Sequence, residues 1–315
     1  MMDLSLWMEI SNSSSDHNIS FEIVVHHEKG NRITQEDNYV CCSVMNGQLV
    51  AVLDGHIDSG TSEQVSLILC SIFKEEYINI WNKIGCRDDL NDEHLKQILE
   101  NTFDRLDILT RDNKSGTTVS LIYIYPIGRD DGGARVLKVM AATLGDSPVY
   151  IQDKGIEILM PIHSAVQHKD DINWIMKYAK EAHDAKDYSH PFYGVEIDDG
   201  YVYINAYSHD HIRGLAVTRA LGNRDFFTVL QKTPDVALFV VSTKANILIA
   251  SDGVLTNLEK NIKTNMKKLL MIAQEDGAEQ MFKMLPNFDN VTCIYIQMSE
   301  ENTTVKKPAV IKEQG

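Results

Sequence analysis

A series of short apolar runs, each cut off by turn residues, sets what this chain can fold into. In order they read FEIVV, NYVCCSV, QLVAVL, TTVSLIYIY, RVLKVMAATL, PVYIQ, VALFVV, NILIAS and VTCIYIQM. Val, Ile and Tyr fit a pleated surface and the runs are too short for helices, so each is predicted as a strand. Helical spacing is confined to residues 62–83, 92–109 and 265–285. The second places Leu95, Ile98, Leu99, Phe103 and Leu106 on one face, with Asn91 positioned to cap its start. The third is expected to break near Gly277. Strands that follow one another through short connections, with helices in clusters, favour antiparallel sheets over a parallel βαβ arrangement. The expected fold is α+β: a sandwich of two antiparallel β-sheets flanked by α-helices on both faces, in four layers.

The runs also divide the chain. Residues 1–20 are polar and are expected to be loose, and residues 21–299 form one domain. Within it, about 168–211 is polar, Tyr-rich and weakly patterned, and reads as a surface flap insertion. Residues 300–315 lose all periodicity and are expected to be disordered. No apolar run approaches the ~20 residues of a membrane span. The N-terminus lacks the basic and apolar regions of a signal peptide. Five cysteines without a CxxC pair point to reduced thiols in a cytoplasmic or nuclear setting, not to a disulfide scaffold. A formal charge of −15 disfavours nucleic acid and anionic membranes as partners and suits the binding of cations. A monomer is the default expectation.

Several runs end or begin at acids. Leu49–Leu53 leads into Asp54-Gly55-His56, and ILIAS leads into Asp252-Gly253. Glu36-Asp37 and Asp289-Asn290 each precede a strand. Strand ends are rigid, so carboxylates there can converge at one edge of a sheet stack. Each like-charged pair at about 4 Å costs on the order of 4 kcal/mol at an effective dielectric of ~20, and bound cations offset that cost. An all-oxygen donor set selects hard ions such as Mg²⁺ or Mn²⁺.

The motifs RITQED, AVLDGHID, SGTTVSLIYI, ATLGDSPVY, RGLAVTRALGN, ILIASDGVL and FDNVTCIYI stand in this order from Arg32 to Ile296. Together they resemble the metal-dependent, type-2C serine/threonine protein phosphatases. The resemblance implies the same two-sheet sandwich and two Mg²⁺ or Mn²⁺ ions at one end of it. Asp54 would bridge both ions, Asp252 and Asp289 would hold the first, and Glu36 with the Gly55 carbonyl would hold the second. Asp37, Asp146 and Asn290 would support these ligands from behind. Arg32 would grip the substrate phosphate, where its planar fork suits two oxygens. Water activated by the ion pair would attack phosphoserine or phosphothreonine directly, without a phosphoenzyme. His56 would protonate the leaving alkoxide.

The sequence also departs from the family pattern. Ile162, in MPIHSAV, stands where the family usually carries an acid that helps hold a third ion. An isoleucine offers no ligand oxygen, so a third ion would be absent or held differently. Asn223 replaces a common Asp, and Leu255-Thr256 replaces the usual Trp-Asp. These changes keep open a pseudophosphatase that docks partners, and a Mg²⁺-binding sensor domain. Other phosphatase chemistries lack their residues here: the chain has no Cys-x5-Arg, no Gly-Asp-x-His-Gly, and no strand ending in Asp-x-Asp.

Overall fold

A computed structural model of the chain describes residues 6–11, 19–85, 90–204, 214–255 and 261–300, the first of these as backbone alone. The predicted runs lie in two antiparallel sheets. The larger contains β1 (Leu6–Ser11), β2 (Ile19–Glu28), β9 (Val149–Asp153), β10 (Ile156–Leu159), β16 (Asn246–Ala250) and β17 (Val291–Glu300), in the order β1-β2-β17-β16-β9-β10. The other contains β3 (Asn38–Val44), β4 (Gly47–Leu53), β7 (Val119–Arg129), β8 (Arg135–Leu144) and β15 (Asp235–Ser242), in the order β15-β8-β7-β4-β3.

The sheets stack face to face through Ile23 and Val25 of β2, Val50 and Val52 of β4, Ile122 and Ile124 of β7, and Ile294 and Ile296 of β17. Outside the smaller sheet lie α1 (Gly60–Ile84) and α2 (Asp92–Thr110), whose Leu69, Phe73, Ile98 and Phe103 pack on Leu49, Ala51 and Leu53. Outside the larger sheet, α4 (Ile262–Asp276) and α5 (Ala278–Lys283) pack Met266, Leu270 and Met281 on Leu248, Cys293 and Tyr295. The four-layer expectation therefore holds. It also explains why LVAVL is apolar throughout: alternate residues face the partner sheet and the helices, and every residue of β4 is buried.

Local signals act as expected at the helix ends. The Asn91 side chain accepts from the His94 N–H, and the Asn91 N–H donates to His94 Nδ1, which closes a capping box on α2. Gly277, at φ +91°, separates α4 from α5.

Two expectations need correction, and a third falls mostly outside the described residues. Residues 1–20 are not all loose, because Leu6–Ser11 pairs with β2 from Leu6↔Val25 to Ser11↔Ser20, and β2 begins at Ile19. Residues 301–315 of the expected tail lie outside the described residues, while Glu300 still belongs to β17. The thiols are not all reduced, since Cys42 on β3 and Cys70 on α1 form a disulfide across the helix–sheet interface, with Cα atoms 6.7 Å apart. Cys41 and Cys293 are free, and Cys86 lies outside the described residues.

The stretch read as weakly patterned contains α3 (Lys169–Asp184) and strands β11 (Glu196–Asp198) and β12 (Tyr201–Tyr203), which join β13 (Gly214–Leu215) in a three-stranded sheet. Ile175, Ala179 and Ala182 of α3 pack on Phe192, Val195 and Val202. Asp171 at the start of α3 is buried, and Arg219 holds it with two hydrogen bonds of 2.7 and 2.9 Å. Arg219 and His163 also reach Asp235, at 3.4 and 2.9 Å, so one ionic network fastens α3 to the end of β15.

Candidate metal centre

Both sheets deliver acids to one end of the sandwich. Asp54 follows β4, Asp252 follows β16, and Asp289 shortly precedes β17. Asp146 lies in the turn where the chain leaves β8 in one sheet and enters β9 in the other. Carboxylate oxygens of Asp54, Asp146 and Asp252 all come within 4.8 Å of one another. Asp289 lines the same recess as Asp146 and Asp252.

The backbone fixes this convergence. The Asp54 carbonyl accepts from the Thr118 N–H at 2.9 Å and from the Thr117 hydroxyl at 3.2 Å, which gives the SGTT motif a structural task. The Asp252 N–H donates to Asp54 Oδ2 at 3.3 Å. Gly145, at φ +106°, presses against the Thr118 side chain, so the turn presenting Asp146 has no room for a Cβ. Two more strands, β5 (Gly55–His56) and β6 (Gly116–Thr117), pair with each other, and β6 pairs on its other side with β14 (Leu221–Gly222). A Cβ on Gly55 would collide with the Glu36 carbonyl, which also accepts from the Ser62 hydroxyl at 2.5 Å.

Asn290 ties the loop before β3 to this end. Its Oδ1 accepts from the Glu36 N–H at 2.8 Å, and its Nδ2 donates to the carbonyls of Lys29 and Thr34. Arg32, on that loop, donates to Asp289 Oδ2 at 2.6 Å. Asp37 is buried and accepts from the Thr292 hydroxyl at 2.9 Å.

Electrostatics mark the cluster as short of positive charge. Burial pushes the Asp37 carboxyl up to about 7, against the hydrogen bonds from Ser251 and Thr292, with Asp252 and Asp289 adding to the rise. Burial, helped by Asp252, pushes Asp146 up to about 8. Asp54 is raised well above the usual carboxylate range by burial and by Asp252, Asp37 and Asp146. Asp252 is raised by burial as well. Asp54 and Asp146 are half-buried and Asp252 is open to solvent, and an all-oxygen set with no thiolate is the donor chemistry of a hard divalent cation, so the residues present fit the ions the motifs imply.

His56 sits between the Asp54 backbone and Asn223. Its Nε2 lies 2.6 Å from Asn223 Oδ1, an atom that only accepts, so Nε2 carries a proton. Burial lowers the pKa of this ring. The Asn223 partnership escaped sequence reasoning, because the two residues are 167 positions apart. The ionic network of His163, Asp171, Arg219 and Asp235 was missed too, although Arg219 lies inside a quoted motif. Ile162 places no carboxylate beside Asp146, in keeping with the sequence.

This sandwich, with carboxylates gathered at one end, is the fold of the type-2C protein phosphatases. The chain matches the crystal structure of serine-threonine phosphatase 2C from Toxoplasma gondii at a TM-score of 0.65 and 16% identity, over 95% of this chain and 100% of that one. It matches a Caenorhabditis elegans sex-determining protein at a TM-score of 0.57 and 17% identity, over 90% of this chain and 65% of that one. It also matches the catalytic domain of the phosphatase PstP in complex with two manganese ions, at 0.50 and 15%, over 89% and 99%. No family model matches the sequence. No curated protein sequence matches it either. At these identities the likeness is one of fold.

Proposed function

We propose that the chain is a Mg²⁺- or Mn²⁺-dependent protein serine/threonine phosphatase. The observation that carries this reading is the meeting of Asp54, Asp146 and Asp252 oxygens within 4.8 Å at the end of the sandwich. In this reading Asp54, Asp252 and Asp289 hold one ion, while Asp54, Glu36 and the Gly55 carbonyl hold the other. When bound, such a pair supplies a nucleophile from water near neutral pH and offsets charge on a phosphate monoester.

The chain's own groups do the rest. Arg32 lies on a loop clasped by Asn290, with its guanidinium already at the acid cluster, so it can present paired N–H donors to a phosphate. Asp37, behind Asp252 and Asp289, orients the Thr292 and Ser251 hydroxyls. Asn223 accepts from His56 Nε2 and fixes the ring, and the imidazolium form of His56 is the acid for a seryl or threonyl leaving oxygen. Phosphoserine and phosphothreonine proteins are the substrates in this reading, and the working unit is a monomer. No helix among the described residues is long and apolar enough to cross a membrane.

Hydrolysis assays in Mn²⁺ with wild type and His56→Ala test the assignment. Wild type is expected to hydrolyse a phosphoserine peptide only when Mn²⁺ is present. His56→Ala is expected to lose about 10²-fold on that peptide and under about three-fold on p-nitrophenyl phosphate, whose leaving group scarcely needs a proton. Equal losses on both substrates would remove His56 from the acid role, and an inert wild type would refute the phosphatase reading.

A further inference from the structure

The carboxylates do not fill the hollow they line. Asp146, Asp252 and Asp289 share a recess of about 290 Å³ with three aliphatic side chains, Ile162, Leu255 and Ile262. Past Ile262 and Gln167 the recess continues into a second hollow of about 380 Å³ that reaches Leu159 and Lys263. We infer that this recess is a subsite for an aliphatic residue close to the phosphorylated residue of a protein substrate. The inference rests on the phosphatase reading above and adds a specificity to it.

The aliphatic lining is held rigidly. Leu255 and Ile262 lean on the core formed by α4, α5 and the larger sheet. Ile162 is only 9% exposed. It is fixed between Pro161, whose carbonyl accepts from the Thr143 hydroxyl, and His163, whose N–H donates to the Gly145 carbonyl. These side chains therefore do not move aside for a charged group. A phosphate seated at the acids would bring its neighbours along with it. In an extended peptide, two positions carry the chain about 7 Å and return side chains to the same face. A leucine at such a position would cover Ile162 and Ile262. An asparagine would leave its amide against aliphatic carbon, and an aspartate would meet the carboxylates as well. Gln167, which lines both hollows, offers an amide for the backbone of that peptide.

Aliphatic pockets discriminate by about 10–200-fold per small change in the group they take. The test is a positional scan of phosphothreonine peptides in Mn²⁺, with Leu, Asn or Asp placed in turn at each of the two positions on either side. Leu at one position is expected to raise kcat/KM at least about ten-fold over both Asn and Asp there. Ile262→Lys should erase that preference or turn it toward Asp. The scan on the unmutated protein decides even if the variant folds poorly. Mn²⁺-dependent hydrolysis at rates that ignore the flanking residue would overturn the subsite and leave the phosphatase reading standing. No hydrolysis of any peptide would overturn both.

Discussion

Asp54→Asn is expected to lower Mn²⁺-dependent hydrolysis of a phosphopeptide by about 10³-fold or more, as removal of a charge-stabilising group from a preorganised site does. Asp54 is the acid on which the proposed centre turns. Its oxygens approach both Asp146 and Asp252, and the Asp252 N–H already points at Oδ2. Asparagine keeps the shape but removes the charge and one ligand oxygen. The fold should not suffer, because the Asp54 backbone is held by Thr117 and Thr118 independently of its side chain. Burial and three neighbouring acids oppose ionisation of Asp54, so its replacement relieves repulsion. The variant should melt no lower than wild type in chelator. Steady-state kinetics with a thermal melt check both halves, and a variant that kept wild-type rates would remove Asp54 from the site.

The second large effect concerns pH. Asp37 and Asp146 titrate at about 7 and about 8 in the folded chain. Both values lie above the ~3.9 of an unfolded aspartate. Across that interval the folded state binds more protons than the unfolded state, so stability falls as pH rises through it. Half-buried His27 and His56 and buried His163 are held below their ordinary value and act in the opposite sense below about pH 6.5. Lys232, lowered by burial to about 8, adds stability as pH rises further. The carboxylates therefore dominate between pH 6.5 and 8. In chelator, Tm should drop by about 3–6 °C over that range, and excess Mn²⁺ at pH 8 should more than restore it, because cations bind the deprotonated oxygens. A Tm that rose from pH 6.5 to 8 in chelator would contradict the raised pKa values of Asp37 and Asp146.

The sheets were legible because their strands are covered on both faces, which makes β4 a continuous apolar run. Helix α3 was not, because its buried side is Ile175 with two alanines and an aspartate held by Arg219, Thr218 and His168. Strand β1 was hidden because its apolar run, LWMEI, is short and is followed at once by the polar stretch SNSSSDHN. The Cys42–Cys70 bond depends on how α1 lies across β3, which spacing along the chain does not encode. At the candidate site the acids could be picked out one by one at strand ends, whereas their meeting depends on how the sheets stack. The His56–Asn223 pair depends on β14 arriving beside β5 through β6.

Calorimetric titration of Mn²⁺ into the chelator-stripped protein near neutral pH tests the central claim most directly. Two ions per chain are expected in wild type, with binding weakened or lost in Asp54→Asn and Asp252→Asn. A folded wild-type chain that takes up no Mn²⁺, or takes it up equally well without these acids, would contradict the account.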